Sequence, residues 1–355
     1  MTPKYVWSAL HSFILTGVWK IGPESIAESV IREDFSRPCD ESEDHGSVSV
    51  SAYTSFIQNF LAKAGFRLPD NQDDPEFKME VISSCLALGL PPERTKALAG
   101  VGIDAAKWFY PDHSRKLQLL IAKFTGMTTM IDDLGILFPD ALANYRTRLL
   151  NGQPQDTPIL QALLEIIREL DSYFGTFDVD MILKVTLEFL SANLIEFKRQ
   201  ADLRPTVNSP GYTTYFRLKS GVAEAFACFI FPLDRSAASP TAHSVAHLPM
   251  IPDLVTFMNE ANDILSFYKE SLVGTERDNA IHMHARLHGL SLSGALEVYE
   301  KSVLGCMSRL RGFSVAEGVE SQVEQFLQGY FAFHMMCPRY RLKELDFWQS
   351  QIERQ

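Results

Sequence analysis

The sequence predicts an all-α protein, read as one helical domain across residues 1–355. Three observations carry this. Apolar residues recur with the 3.6-residue period of an amphipathic helix in almost every segment between turn signals. Alternating strand patterns bounded by turn pairs are scarce. No Pro-, Gly- or Ser-rich stretch is long enough to separate two domains, and no repeat at roughly 30–45 residues suggests a solenoid.

The elements follow in order. MTPKYVWSALHSFILTGVWK, residues 1–20, reads as an amphipathic first helix. Ser8, His11 and Ser12 interrupt its apolar stretch, and no small-residue cleavage site follows, which disfavours a secretory signal. ESIAESVIREDF (24–35) places Ile26, Val30 and Ile31 on one helical face, and CDESEDHGSVS (39–49) is an acidic connector. A helix over 52–66 stops near Gly65, a loop covers 68–77, and a helix runs from about Pro75 to Leu88. GLPPERT breaks the pattern again. A long helix over 110–133 opens with Pro111, a residue suited to the first helical turn. Periodic segments cover 157–173 and 179–199, and 204–212 is a turn. Helices follow over 213–231 with Gly221 inside, 253–271, 290–311 and 317–337, ten or more in all.

The formal net charge of -11 argues against a nucleic-acid partner and against simple attraction to an anionic membrane. An acidic protein that binds phosphate needs a local basic cluster or metal ions. No run of 18 apolar residues occurs, so no spanning helix is expected. Five cysteines without a CxxC pair (Cys39, Cys85, Cys228, Cys306, Cys337) suit reduced thiols and a cytoplasmic location.

Four constellations carry chemistry. In NDILSFYKE, Asn262, Ser266 and Glu270 stand at i, i+4 and i+8. On a helix they drift about 40° and rise about 6 Å per step, so three oxygen-bearing side chains share one stripe. Such hard ligands suit Mg²⁺ or Mn²⁺, with waters and substrate oxygens completing the shell. Lys269 on the same turn could meet a phosphate. In MTTMIDDLG, Asp132 and Asp133 close a long apolar helix, where the negative end of the helix dipole disfavours unpaired anions. In YTTYFRLKSGVAEAF, Arg217 precedes Gly221 by four residues, and a glycine inside a helix often marks a bend. In CPRYRLKEL, Pro338 ends a helix and leaves Arg339 and Tyr340, two donors suited to phosphate, on a turn. Each alone also reads as an ordinary polar surface; the four together ask for one explanation.

Together these motifs resemble class I terpenoid cyclases, most closely fungal sesquiterpene cyclases of the trichodiene synthase type, over at least 90–355. The resemblance implies a single-domain helical bundle enclosing an apolar active-site cavity. It implies three Mg²⁺ ions, Asp132 binding two and Asn262, Ser266 and Glu270 chelating the third. It implies that Arg217, Lys269, Arg339 and Tyr340 bind the diphosphate of farnesyl diphosphate, and that Asp133 pairs with Arg339 on closure. Gly221, beside Ser220, would sit at a helix break near the developing cation, and Phe124, Phe189 and Phe333 would line the cavity. A homodimer is compatible with the reading. Two departures stand out: Ile136 occupies a position where a further acid is often found, and Cys337-Pro338 replace an acid and a base before the Arg-Tyr pair.

Rival readings are a chain-elongating prenyltransferase, which needs a second aspartate-rich motif, and an inactive module that only binds an isoprenoid diphosphate. A zinc hydrolase using His284 and His288 of HMHARLH lacks an accompanying HExxH pattern.

Overall fold

The computed structural model describes residues 46–70, 73–88, 92–199, 205–233, 245–313 and 319–347. The helices expected over 1–20 and 24–35, and Cys39, lie outside these residues. Thirteen α-helices and no strand occur among the described residues.

Helix α1 (Val50–Ala64) is capped by Ser49, whose hydroxyl accepts the Ala52 N–H. Helix α2 (Pro75–Leu86) is capped by Asp74. Helix α3 (Pro92–Phe109) starts at the prolines that in sequence read only as a break. Helix α4 (Arg115–Leu134) begins later than expected. Ser114 caps it by accepting the Leu117 N–H, while Pro111 falls in the preceding turn, closed by His113 N–H to the Tyr110 carbonyl. A side-chain acceptor for an orphan N–H outranks proline's φ preference here.

Helices α5 (Pro139–Leu150), α6 (Pro158–Leu170) and α7 (Thr176–Arg199) follow. The expected continuous helix over 213–231 is two helices, α8 (Tyr212–Ser220) and α9 (Ala223–Phe229). Gly221 is extended between them, with φ -98° and ψ 160°. Helix α10 (Ile251–Phe267) runs into one wide π-turn, Tyr268–Leu272. Helices α11 (Ala280–His288), α12 (Leu292–Arg311) and α13 (Val319–Met336) complete the bundle, and a short 3₁₀ turn, Pro338–Tyr340, follows α13.

The core is organised around α4, with twelve buried residues between Leu117 and Ile131. Its most extensive neighbour is α3, which also packs on α13. Both crossings bring backbones into contact. A Cβ on Gly102 would stand 2.0 Å from the Ala122 carbonyl oxygen, and one on Gly329 would stand 1.8 Å from that of Trp108. Next to these crossings lies a layer of rings: Phe109 meets Tyr330 at 5.2 Å, Phe333 at 5.0 Å and Phe226 at 6.0 Å. No helix among the described residues is long and apolar enough to cross a membrane.

The architecture gathers chemistry at helix C-termini. Asp132 and Asp133 end α4, Arg217 ends α8, Lys269 and Glu270 follow α10, and Arg339 and Tyr340 follow α13. Substituting Gly329→Ala is expected to destabilise the protein by about 1–3 kcal/mol, because helix backbones must separate to admit one methyl group. Urea unfolding of the variant against wild type measures it.

Candidate active site

Arg217 organises the site. Its Nε donates to Asp263 Oδ1 at 2.8 Å and its terminal amine to Asn262 Oδ1 at 3.0 Å. The guanidinium is largely buried, with 23% of its side chain exposed against 10% for Asp263. Burial works against its charge, but Asp263 holds its pKa above the ordinary range. Burial pushes the Asp263 carboxyl up to about 6, with Arg217 pulling against it, and Asp263 Oδ2 has no partner among the described residues.

The break at Gly221 lies against this pair. A Cβ there would stand 2.9 Å from an Arg217 terminal nitrogen and 2.9 Å from Asn259 Oδ1. Glycine at that place leaves room for the guanidinium.

Asn262 joins three elements. Its amide nitrogen donates to His334 Nε2 at 3.1 Å and, more weakly, to the Tyr340 hydroxyl at 3.4 Å. His334, on α13, is 1% exposed, and its Nδ1 meets the Tyr330 carbonyl at 2.8 Å. Burial depresses its pKa to about 3. The Tyr330 hydroxyl in turn donates to the Met258 carbonyl at 2.7 Å, one turn before Asn262 on α10. Tyr340 is buried and its phenol is raised above the ordinary range by that burial.

The stripe of Asn262, Ser266 and Glu270 is split between two backbone forms. Asn262 and Ser266 stand on α10, whereas Glu270 stands in the π-turn. Ser266 is 2% exposed. Glu270 pairs with Lys269 at 3.1 Å and accepts from Asn279 at 3.3 Å. The Lys269 ammonium lies 5.7 Å from the Tyr340 ring centroid.

At the end of α4, Asp133 accepts a bidentate pair from Arg339 at 2.8 and 2.7 Å, and Asp132 stands 3.5 Å from the same guanidinium. Arg339 therefore offsets the helix-dipole cost of Asp133. Asp132 has half its side-chain surface open to solvent yet is closely surrounded by protein. That desolvation raises its pKa, with Arg339 opposing and Asp133 adding to the rise. Two further acids that the sequence reading missed join the field: desolvation carries Glu196 and Glu276 each to about 7, with Asp132 raising both and Glu270 also raising Glu276. Glu196 comes from α7, remote in sequence from every motif; Glu276 follows the π-turn closely, and its backbone N–H donates to the Glu270 carbonyl at 2.9 Å.

Among the described residues no group of three His, Cys, Asp or Glu side chains forms a metal site on its own. What is present is a set of hard oxygen donors whose carboxylates repel one another, a field that a hard divalent cation would relieve. The donor chemistry therefore fits Mg²⁺ in a site that needs outside ligands. His284 and His288 do share a face, with rings 4.2 Å apart.

The aromatic assignments separate. Phe124 is fully buried, 5.3 Å from Phe229 and 6.3 Å from Phe226. Phe189 and Phe333 are each 4% exposed. Phe333 packs on the polar cluster, 5.6 Å from Tyr340 and 5.1 Å from His334. An open cleft of about 410 Å³ lies at the other end of α4, lined by Tyr110, His113, Leu117 and Tyr173 among others. By helical rise it is about 22 Å from Asp132 and includes none of the site residues.

A family model described as trichodiene synthase (TRI5) matches residues 76–354. The chain belongs to that family. It is 30% identical over 298 residues to the (E)-beta farnesene synthase of Metarhizium brunneum, covering 82% of this chain and 89% of that protein. It is 25% identical over 327 residues to longiborneol synthase CLM1 of Gibberella zeae, covering 88% and 93%. The linalool/nerolidol synthase structure from Streptomyces clavuligerus superposes with a TM-score of 0.58 at 14% identity, covering 76% of this chain and 99% of that one. The fold is thus that of a terpene synthase, and this family member is an enzyme of that class, a lyase acting on prenyl diphosphates.

Sequence reasoning also missed Asp263 and His334. Asp263 sits inside the quoted motif, and an acid beside Asn262 was the available signal for an Arg217 partner. His334 reads in sequence only as a lone polar residue on an apolar helix.

Glu260, one turn before Asp263, gives a pH prediction. Burial raises its carboxyl from 4.5 to about 7, and its Oε2 lacks a partner among the described residues. The folded state keeps a proton that the unfolded chain releases, so stability falls as pH rises from about 4.5 to 7 and stays low above it. Glu260→Gln is expected to raise Tm by a few degrees above pH 7 and to leave it nearly unchanged below about pH 4.5. Thermal melts across that range measure the difference.

Proposed function

We propose that this terpene synthase is a Mg²⁺-dependent sesquiterpene cyclase of the cytoplasm. It ionises farnesyl diphosphate and cyclises the carbocation to a polycyclic C15 hydrocarbon or alcohol, releasing diphosphate. The observation that carries the reading is the convergence of Arg217, Lys269, Arg339 and Tyr340 with Asp132, Asn262 and Glu270 at one end of an aromatic core. Two relatives, a farnesene synthase and a longiborneol synthase, support terpene chemistry of this kind. A monoterpene synthase of Postia placenta, 29% identical over 298 residues, makes the C10 substrate the comparison to run.

In this reading Asp132, Asn262, Ser266 and Glu270 hold the metal. When bound, Mg²⁺ supplies Lewis-acid neutralisation of the diphosphate. Arg217, Lys269, Arg339 and Tyr340 donate to the diphosphate oxygens, a preorganised field for the charge that develops as the C–O bond breaks. The bonding pair leaves with the diphosphate and an allylic cation remains. Apolar walls keep water away from it, since water would quench the cation early. The Phe333 face, next to Tyr340, can stabilise a desolvated cation by about 2 kcal/mol. The cation ends by losing a proton or by capturing one water.

Purified protein incubated with farnesyl diphosphate is expected to release a cyclic C15 product only with Mg²⁺, detected by gas chromatography and mass spectrometry. Glu270→Ala should lose most turnover while keeping the helical circular-dichroism spectrum. Folded protein that converts none of the C10, C15 or C20 diphosphates would favour the binding-module reading. Phe333→Ala is expected to change product ratios more than Mg²⁺ dependence; an unchanged profile would return Phe333 to ordinary core.

A further inference from the structure

We infer that His334 is a positioning residue: it holds the Asn262 carboxamide so that Oδ1, not the amide nitrogen, faces Arg217. The inference rests on the reading of Asn262 as a metal ligand and extends it to a residue that touches neither metal nor substrate.

A primary amide has two nearly isosteric orientations, and only hydrogen bonding separates them. Arginine has donors only, so the Asn262 atom 3.0 Å from Arg217 must be the oxygen. The Asn262 nitrogen then faces His334 Nε2 at 3.1 Å, and that ring nitrogen must accept. The other ring nitrogen lies 2.8 Å from the Tyr330 carbonyl, which can only accept, so Nδ1 carries the proton. Backbone, imidazole, amide and guanidinium form a chain in which each donor direction dictates the next. The ring itself is fixed by packing, with Tyr340 at 4.2 Å, Tyr330 at 4.6 Å and Phe333 at 5.1 Å.

The device matters when Arg217 turns its donors to a diphosphate. The Arg217 constraint on Asn262 is then weakened, while His334, anchored to the α13 backbone, still requires an N–H from Asn262. The amide oxygen stays available to a hard cation and does not rotate away in exchange for the NH₂ group, whose delocalised lone pair cannot coordinate one. Partners that orient a metal ligand in this manner are typically worth about 10–100-fold in metal affinity.

The test uses full-length protein, three single variants and one double variant. Wild-type protein labelled with ¹⁵N-histidine should show His334 as the Nδ1–H tautomer by NMR, with its signal assigned by loss in His334→Gln. Calorimetry then follows uptake of inorganic diphosphate with Mg²⁺. His334→Gln retains an acceptor near the Nε2 position and should stay within about threefold of wild type, about one neutral hydrogen bond or less. His334→Asn keeps only a donor for the Tyr330 carbonyl and should bind about 10–100-fold more weakly. In an Asn262→Ala background, His334→Asn should change affinity no further, which a merely structural role would not produce. An Nε2–H tautomer, wild-type affinity in His334→Asn, or equal losses in the Gln and Asn variants would each overturn the assignment. If His334→Asn does not fold, the tautomer and His334→Gln decide. The two readings fail differently. Wild-type protein that takes up no diphosphate sinks the site reading as a whole; wild-type uptake that His334→Asn leaves intact sinks only the role of His334.

Discussion

A largely buried guanidinium has to be satisfied, and the placement of three helices follows from how Arg217 is satisfied. It needs an anion and finds Asp263; it needs a second acceptor and finds Asn262. Both lie on α10, so the end of α8 is tied to α10. Where the helix breaks, residue 221 has to be glycine, because the guanidinium and Asn259 occupy the space a side chain there would need. On the other side of Asn262, His334 and Tyr340 bring in α13 and the turn after it. One charge thus links the α8–α9 break, the metal-type motif and the C-terminal turn.

The second organising element is helix polarity. Four helices point their C-termini toward the same region, and each terminus carries partial negative charge. Acidic side chains would normally avoid such a place. Arg217, Lys269 and Arg339 offset part of that field, and Arg339 does so by direct bidentate contact with Asp133. Desolvation first, and like charge added to it (Asp133 on Asp132, Asp132 on Glu196, Glu270 and Asp132 on Glu276), raises the pKa of Asp132, Glu196 and Glu276. The balance is therefore neither simply basic nor simply acidic. It suits a polyanion that arrives with divalent cations, and it explains how a chain of net charge -11 can handle a diphosphate.

Beneath this polar end the rings of Phe109, Phe226, Tyr330 and Phe333 form a continuous layer. Tyr330 belongs to both regions: its ring packs in the layer, its hydroxyl anchors α13 to α10, and its carbonyl sets the tautomer of His334. The apolar core and the polar site are built from the same turns of α13, so neither can be displaced without the other.

By itself the sequence determined the helical class, through the 3.6-residue period, and most helix positions, through local caps and breaks. It also marked the short motifs around Asp132, Arg217, Asn262 and Arg339, because their members lie within one or two helical turns and local spacing makes them visible. Tertiary structure decided what no local window holds. That the helix breaks at Gly221, and that a side chain there would meet Arg217 and Asn259, is seen only in the folded chain. Glu196 is a neighbour of the motifs only across helix packing, and so is His334 to Asn262. Arg217 and Asn262 stand 45 residues apart in the chain, and Asn262 and His334 stand 72 apart. Side-chain periodicity reports which face is buried; it carries no information about which buried donor meets which acceptor, and that pairing is what gives these residues their roles.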